Sequence, residues 1–273
     1  ESEQPYYTWM NTGIKAAGNL QFIFPGQSYI GHNGEHNEWP IDKQNGKDLS
    51  YYKNNDFGGY KSYHVFGKYN DFFGGYYHDE DFGMGRYGNY DDKPGKKIWI
   101  WGLSQQGMIW EKLLTDTDGQ YVEVQSGRLF NQASEGSNLT PFKQRSFAPY
   151  QTDSWTEYWF PVKQTKGFVK ANNYGAVNIK NENGWLKIYF SPLQKLNEKL
   201  EVFDNEKKIY SKNISVNTLQ VFKDSIQVAV DQNKLRVTIG DNKLVWNSTP
   251  EDGNLNRPLE VPKDFDNNSI YGL

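Results

Sequence analysis

The chain reads as an all-β protein, and three features predict it. Aromatic residues make up 16% of its 273 positions, with 9 Trp, 19 Tyr and 16 Phe, while the hydrophobic types together reach only 36%. Burial therefore leans on rings, which suit a pleated sheet better than a helix. Glycine-rich loops cut the first part of the chain into strand-sized pieces, and the later part shows short runs at close, regular spacing.

Within the first 170 residues, strand-length runs stand at Leu20–Phe24, Tyr60–Gly67, Phe72–His78, Lys97–Leu103, Met108–Leu114, Tyr121–Arg128 and Trp155–Val162. Asp42–Tyr52 is too polar and too interrupted by glycine to make a helix. Asp118-Gly119 is a turn dipeptide, so Met108–Leu114 and Tyr121–Arg128 are expected to form a hairpin, with Asp116 and Asp118 capping its turn. In the second of these strands Tyr121, Glu123 and Gln125 share one face, and Val122, Val124 and Ser126 share the other. Trp99 and Trp101 likewise share a face opposite Ile98 and Ile100.

The sequence changes character near residue 170. Short runs follow at Ala176–Lys180, Leu186–Ser191, Leu200–Phe203, Lys208–Ser211, Leu219–Phe222, Ile226–Val230, Lys234–Ile239 and Lys243–Trp246. Turn residues such as Glu182-Asn183-Gly184, Asp204-Asn205 and Gly240-Asp241-Asn242 separate them. This spacing predicts a small antiparallel β-sandwich over residues 171–249, after a first domain over 1–170. The polar tail 250–273 reads as a C-terminal linker. The opening Glu1-Ser2-Glu3-Gln4-Pro5 looks like a cut inside a longer protein.

Formal net charge is −3 and no basic stripe is present, which argues against nucleic acid as a partner. No run of about 18 apolar residues occurs, so no membrane span is expected. Cysteine is absent, which excludes disulfides and thiolate zinc sites. His32-Asn33-Gly34-Glu35-His36 spells a zinc-peptidase pattern, but that pattern needs a helix to bring both histidines to one face. Asn33-Gly34 inside it, and Gly31, Pro25-Gly26 and Pro40 around it, favour a polar loop satisfied by local hydrogen bonds. No metal or other cofactor is assigned.

At period two, Trp155, Glu157 and Trp159 fall on one face of a strand. Indole faces stack on the apolar face of a sugar ring, and a carboxylate grips hydroxyls or moves a proton. A bare carboxylate between two core tryptophans would need a partner, so a wet, concave face is the preferred reading. A buried pairing with Arg128 or Arg145 competes with it. His64 and His78 titrate near neutrality and are the candidate general acids, against a reading in which each is a hydrogen-bonded structural histidine.

Gly107 to Glu111, Asp116 to Gln132, Thr140-Pro141-Phe142, Trp155 to Val162 and Gly67 to His78 resemble a bacterial domain family of unknown function, DUF5107. The resemblance covers about residues 5–170. It implies a galactose-mutarotase-like β-supersandwich, here lacking its N-terminal part and usually followed by tetratricopeptide repeats in the parent chain. It implies a setting of bacterial glycan use, which favours a periplasmic or extracellular location. It also implies Glu157 or Glu123 as base, His64 or His78 as acid, and Arg128 as an anchor for hydroxyls or a carboxylate. Trp155, Trp159, Trp101 and Gln125 would line the sugar. No short mutarotase signature is matched in full.

The expected ligand is a saccharide. Three readings follow: an aldose-epimerase-like enzyme or glycoside hydrolase working by Glu/His chemistry, a non-catalytic glycan-binding module of a larger protein, or a scaffold whose aromatic sheet is simply core. Glu123 and Glu157 are the carboxylate pair a hydrolase would use, provided that they stand about 5–9.5 Å apart.

Overall fold

A computed structural model describes residues 9–55, 58–102, 105–115, 119–128, 149–228 and 234–249. Along the chain come β1 (Trp9–Lys15), β2 (Leu20–Ile23), β3 (Ser28–Ile30), β4 (His36–Glu38), β5 (Ile41–Asp42), β6 (Lys47–Asp48), β7 (Lys61–Phe66), β8 (Phe72–Tyr77), β9 (Phe82–Gly88), β10 (Gly95–Ile100), α1 (Gln105–Leu114), β11 (Tyr121–Gly127) and β12 (Glu157–Lys163). Then follow β13 (Lys170–Asn172), β14 (Gly175–Glu182), β15 (Trp185–Pro192), β16 (Leu196–Asp204), β17 (Lys207–Val216), β18 (Phe222–Gln227), β19 (Leu235–Ile239) and β20 (Leu244–Asn247). The protein is all-β, and among the described residues every strand pairing is antiparallel.

Alternation of side chains organises these strands into layers. A six-stranded sheet runs β1-β11-β10-β7-β3-β4, and a four-stranded sheet runs β12-β9-β8-β2. Ile98, Ile100, Val122 and Val124 from the first meet Leu20, Phe22 and Phe73 from the second in one buried cluster. The neighbours of Phe73 and Trp159 on the same strands point the other way. Phe72, Tyr76, Phe160 and Val162 pack there against Phe168, Ala171 and Ala176. A third cluster joins two further sheets, β13-β14-β15-β18 and β17-β16-β19-β20, through Val177, Ile188, Phe190, Leu200, Val202 and Val237, and β5 and β6 form a separate two-stranded sheet. Each such side chain contributes about 1.5–3 kcal/mol on burial, so the alternating pattern itself holds the layers in register.

Two sequence expectations change. Met108–Leu114 is not a strand of a hairpin but the main part of α1. Gln, Met, Glu, Lys and Leu are all good helix formers, and their intrinsic preference prevails here. Gly107 sits where a Cβ would stand 2.3 Å from the Gly102 carbonyl oxygen, so glycine lets the helix start hard against the end of β10. The expected turn caps Asp116 and Asp118 lie outside the described residues. Leu219–Phe222 and Ile226–Val230 were expected as two strands, whereas Phe222–Gln227 forms one, β18, paired with β15. The tail 250–273 lies outside the described residues.

Gly74, in the middle of β8, tests this packing. A Cβ there would lie 2.0 Å from the Met84 carbonyl oxygen on β9. Gly74→Ala should therefore destabilise the protein by about 1–3 kcal/mol or more in urea unfolding, because backbone has to move. An unchanged midpoint would show that the β8–β9 approach is looser than described.

Candidate functional site

The outer face of the six-stranded sheet, away from the aliphatic core, gathers polar and aromatic groups. Register fixes who stands beside whom. Asn11 and Lys97 flank Gln125 across the strands, and Gly13 and Trp99 flank Glu123. All point away from Ile98, Val122 and Val124, because successive strand residues alternate.

Glu123 is the centre of this face and is 7% exposed. Its Oε1 accepts hydrogen bonds from Trp101 Nε1 at 2.7 Å and from the Tyr121 hydroxyl at 3.1 Å. Its Oε2 accepts from Asn11 Nδ2 at 2.9 Å and from Gln125 Nε2. Four donors saturate the carboxylate, so it anchors its neighbours and has little capacity left for proton abstraction. Burial, with Glu123 next in weight, pushes the Tyr121 hydroxyl up to about 12. Burial draws the Lys97 amine down to about 8 against the opposing pull of Glu123. The Lys97 Nζ lies 4.9 Å from the Trp99 ring centre and 5.5 Å from that of Trp9.

Rings tile the rest of the face. Tyr60 stacks on Trp99 with ring centres 4.6 Å apart and planes 14° apart. Trp101 meets Trp99 edge-on at 5.1 Å and Trp110 of α1 at 5.7 Å. Trp99 is buried and Trp101 partly exposed. Beside Glu123, a cleft of about 400 Å³ opens between β1, β11 and the end of α1, lined by Asn11, Gly13, Lys15, Thr115, Gln120 and Tyr121. Gln120 is buried, its amide nitrogen facing Met108 Sδ at 3.4 Å. Its side-chain oxygen, Oε1, has no donor among the described residues, while its backbone carbonyl accepts from the Ala16 N–H at 2.9 Å.

The structure thus brings together Glu123, Gln125 and Trp101 from the sequence-derived set. His64 reaches the same face, edge-on to Trp9 at 5.9 Å, but is 1% exposed and bonded through Nδ1 to the Ile30 carbonyl at 3.0 Å. Burial first, then the Lys97 charge, lower its pKa to about 3, so it is a neutral imidazole at physiological pH. His78 stands elsewhere, exposed at the end of β8 and bonded to Gln21 Oε1 at 2.7 Å.

Trp155, Glu157 and Trp159 do not form the expected open face. Glu157 faces into the space between the two sheets, its side chain 7% exposed and paired with Arg86 Nε at 2.8 Å. Ser126 Oγ at 2.6 Å and Trp155 Nε1 at 3.2 Å donate to it as well. Burial works to raise its pKa, but the bonds from Ser126 and Arg86 outweigh that and lower it. Lys93 Nζ sits 3.3 Å over the Trp155 ring, which occupies that indole face. Trp159 packs against the aliphatic core. The ion pair considered from sequence exists, with a different arginine. Arg128 instead bonds the Asp92 carbonyl at 2.9 Å and approaches Asp153 at 3.7 Å, and Arg145 lies outside the described residues. Glu123 and Glu157 point to opposite sides of the six-stranded sheet.

Sequence reasoning missed Asn11, Lys97 and Gln120. Asn11 and Lys97 join the face only through strand pairing across long sequence distances. Alternation with Ile98 was the available signal for Lys97.

A sequence profile for a domain of unknown function, DUF5107, matches residues 1–162. Among solved structures, a TPR-domain containing protein from Parabacteroides distasonis ATCC 8503 is similar at 20% identity and a TM-score of 0.40. The likeness covers 57% of this chain and 25% of that one.

Two measurements check these assignments. Glu157→Gln should cost about 3–5 kcal/mol in chemical unfolding, because it strands the buried Arg86 charge. A loss under about 1 kcal/mol would mean the pair is solvated. For His64, the unfolded chain protonates near pH 6.5 and the folded one only near 3, so between those values the unfolded state holds the extra proton. Stability from this group is complete above pH 6.5 and falls toward pH 3, by at most about 1.4 kcal/mol per pH unit. His64→Gln should flatten that acid limb relative to the parent chain, and parallel limbs would contradict the burial of His64.

Proposed function

The chain belongs to the DUF5107 family, and on that premise we propose that the cleft beside Glu123 binds a saccharide, as a glycan-binding module rather than an enzyme. The observation that carries this reading is the Gln120 side-chain oxygen, Oε1, buried in the cleft wall with no donor among the described residues. A buried acceptor without a donor is costly, and a sugar hydroxyl supplies one. Asn11 and Tyr121, held in place by Glu123, line the same cleft. The partly exposed Trp101 ring, whose Nε1 donates to the hydroxyl of the cleft-lining Tyr121 at 3.0 Å, offers apolar surface to a pyranose face. A cleft of about 400 Å³ is within the size range of small-ligand sites.

Binding is favoured over catalysis because the candidate acid and base groups do not converge. Glu123 is saturated, Glu157 is ion-paired, and His64 and His78 serve separate contacts. One observation supports a second, enzymatic reading. Lys97 stands beside Glu123 with its pKa brought to about 8, within reach of proton-transfer chemistry at neutral pH. In the wider chain, residues 1–170 are read as the supersandwich portion and 171–249 as a separate small sandwich. Tetratricopeptide repeats are proposed to follow in the parent protein.

A thermal-shift screen against mono- and oligosaccharides tests the proposal. A ligand at a hundredfold excess over its dissociation constant adds about 2.7 kcal/mol of stability. Gln120→Ala and Trp101→Ala should each abolish the shift while leaving the fold intact. No response to any glycan at millimolar concentration would sink the saccharide reading. Turnover of a glycan that Lys97→Met removes would replace the binding module with an enzyme.

A further inference from the structure

We propose that the small cavity lined by Lys96 and Lys68, at the end of the first sandwich where Arg86 and Lys93 also lie buried, is a binding site for one small carboxylate or inorganic oxyanion. This inference is independent of the saccharide cleft, which lies on the other side of the six-stranded sheet. It begins with strand register. Arg86 stands on β9 opposite both Phe73 and Trp159, on the face that looks into the core. Lys96 stands on β10 opposite Ser126, and it too faces inward, two residues before the core residue Ile98. The fold therefore brings cationic groups of two facing sheets to one end of the sandwich, and Lys93 closes that end from the turn before β10.

These cations are sealed in. Relative exposure is 0% for Arg86, 2% for Lys93 and 4% for Lys96. Facing them is the Glu157 carboxylate, already bonded to Arg86 Nε, Ser126 Oγ and Trp155 Nε1. Asp71, the other acid acting on this end, is partly exposed and accepts the Tyr90 N–H. Arg86 Nη1 and Nη2, Lys93 Nζ and Lys96 Nζ are all buried with no acceptor among the described residues. Lys93 Nζ has Glu157 Oε1 at 3.8 Å as a partial ion-pair partner, whereas Lys96 Nζ faces only the Tyr90 ring, at 4.8 Å. A buried cationic donor is rarely left so, and an anion is the partner Lys96 lacks.

The ligand class follows from space and donor geometry. Lys96 and Lys68 line an enclosed cavity of about 80 Å³, with Phe66, Asn70, Tyr90 and Pro94 in its wall. That is the share of two or three water molecules in the liquid, at roughly 30 Å³ each, so acetate, bicarbonate or phosphate is the limiting size. The ammonium groups of Lys96 and Lys68 are compact point charges with several donors each, which suits an anionic oxygen of a carboxylate or phosphate. Burial draws Lys96 down to about 7 and Lys93 down to about 8, with Arg86 adding to both and Asp71, Glu157 and Asp153 opposing. An anion beside them reverses that, so binding takes up protons and strengthens as pH falls through this range.

The test uses the full chain, dialysed exhaustively, with sodium phosphate, sodium acetate and sodium chloride as separate probes. The expected result is a saturable rise in melting temperature with phosphate or acetate at millimolar concentration. Equilibrium dialysis with the labelled anion should show one per chain, bound about tenfold more tightly near pH 6 than near pH 9. Lys96→Met should lose the saturable component and keep only the linear salt response. If that variant does not fold, Lys68→Met replaces it. A response that is linear, or equal in the parent chain and the variant, would overturn the proposal as a general salt effect. Saturation by chloride alone would overturn the oxyanion assignment.

Discussion

A carboxylate placed between two sheets must find a cation or remain protonated, and Glu157 finds Arg86. That pair ties β12 to β9 within one sheet, and the Ser126 bond carries it across to β11 in the other. Its consequences run through the first half of the protein. Glu157 becomes part of the interior, Trp155 becomes the seat of the Lys93 ammonium, and Trp159 joins the core. An aromatic–acidic motif with the composition of a sugar site is thereby used for architecture. Replacing a buried pair with apolar residues is often neutral, so what it secures here is the placement of one sheet edge against the other rather than raw stability.

Glu123 shows the same residue type resolved the opposite way. It too is buried, but on the outer face, beside the Lys97 charge. Its charge is spread over two amides, an indole and a phenol. Hydrogen bonds to an ionised acceptor are stronger than neutral ones, so this arrangement fixes four side chains, from β1, from β11 and from the residue just after β10. Rigid polar groups beside an open cleft are what recognition of a polyhydroxylated ligand requires, since ordering them at the moment of binding would cost affinity.

The lysines of β10 make the logic of the strand visible. Lys96 and Lys97 are adjacent in sequence, yet one faces the sandwich interior and the other faces the Glu123 cluster. Burial lowers both amines. Period-two alternation thus distributes two adjacent charges to two different environments, each with its own acid and its own aromatic neighbours. A residue of the same type placed one position along would have exchanged those roles.

The sequence alone determined that the protein is built of antiparallel strands, and where most of them run. Alternation and turn residues are local signals, so Tyr121–Gly127 and the short runs after residue 170 could be read directly. The split of Glu123 and Gln125 from Val122 and Val124 was legible for the same reason. Helix α1 was not, because a ten-residue segment rich in Met, Leu and Trp carries both periodicities, and contact with Trp101 arises only on folding. Which acidic group lies open and which is paired was decided by tertiary structure alone. Burial and charge pairing depend on what stands across the strand or across the sandwich. Arg86 lies 71 positions from Glu157, and Asn11 lies 112 from Glu123. No local pattern encodes a partner at that distance; only the register of the folded sheets does.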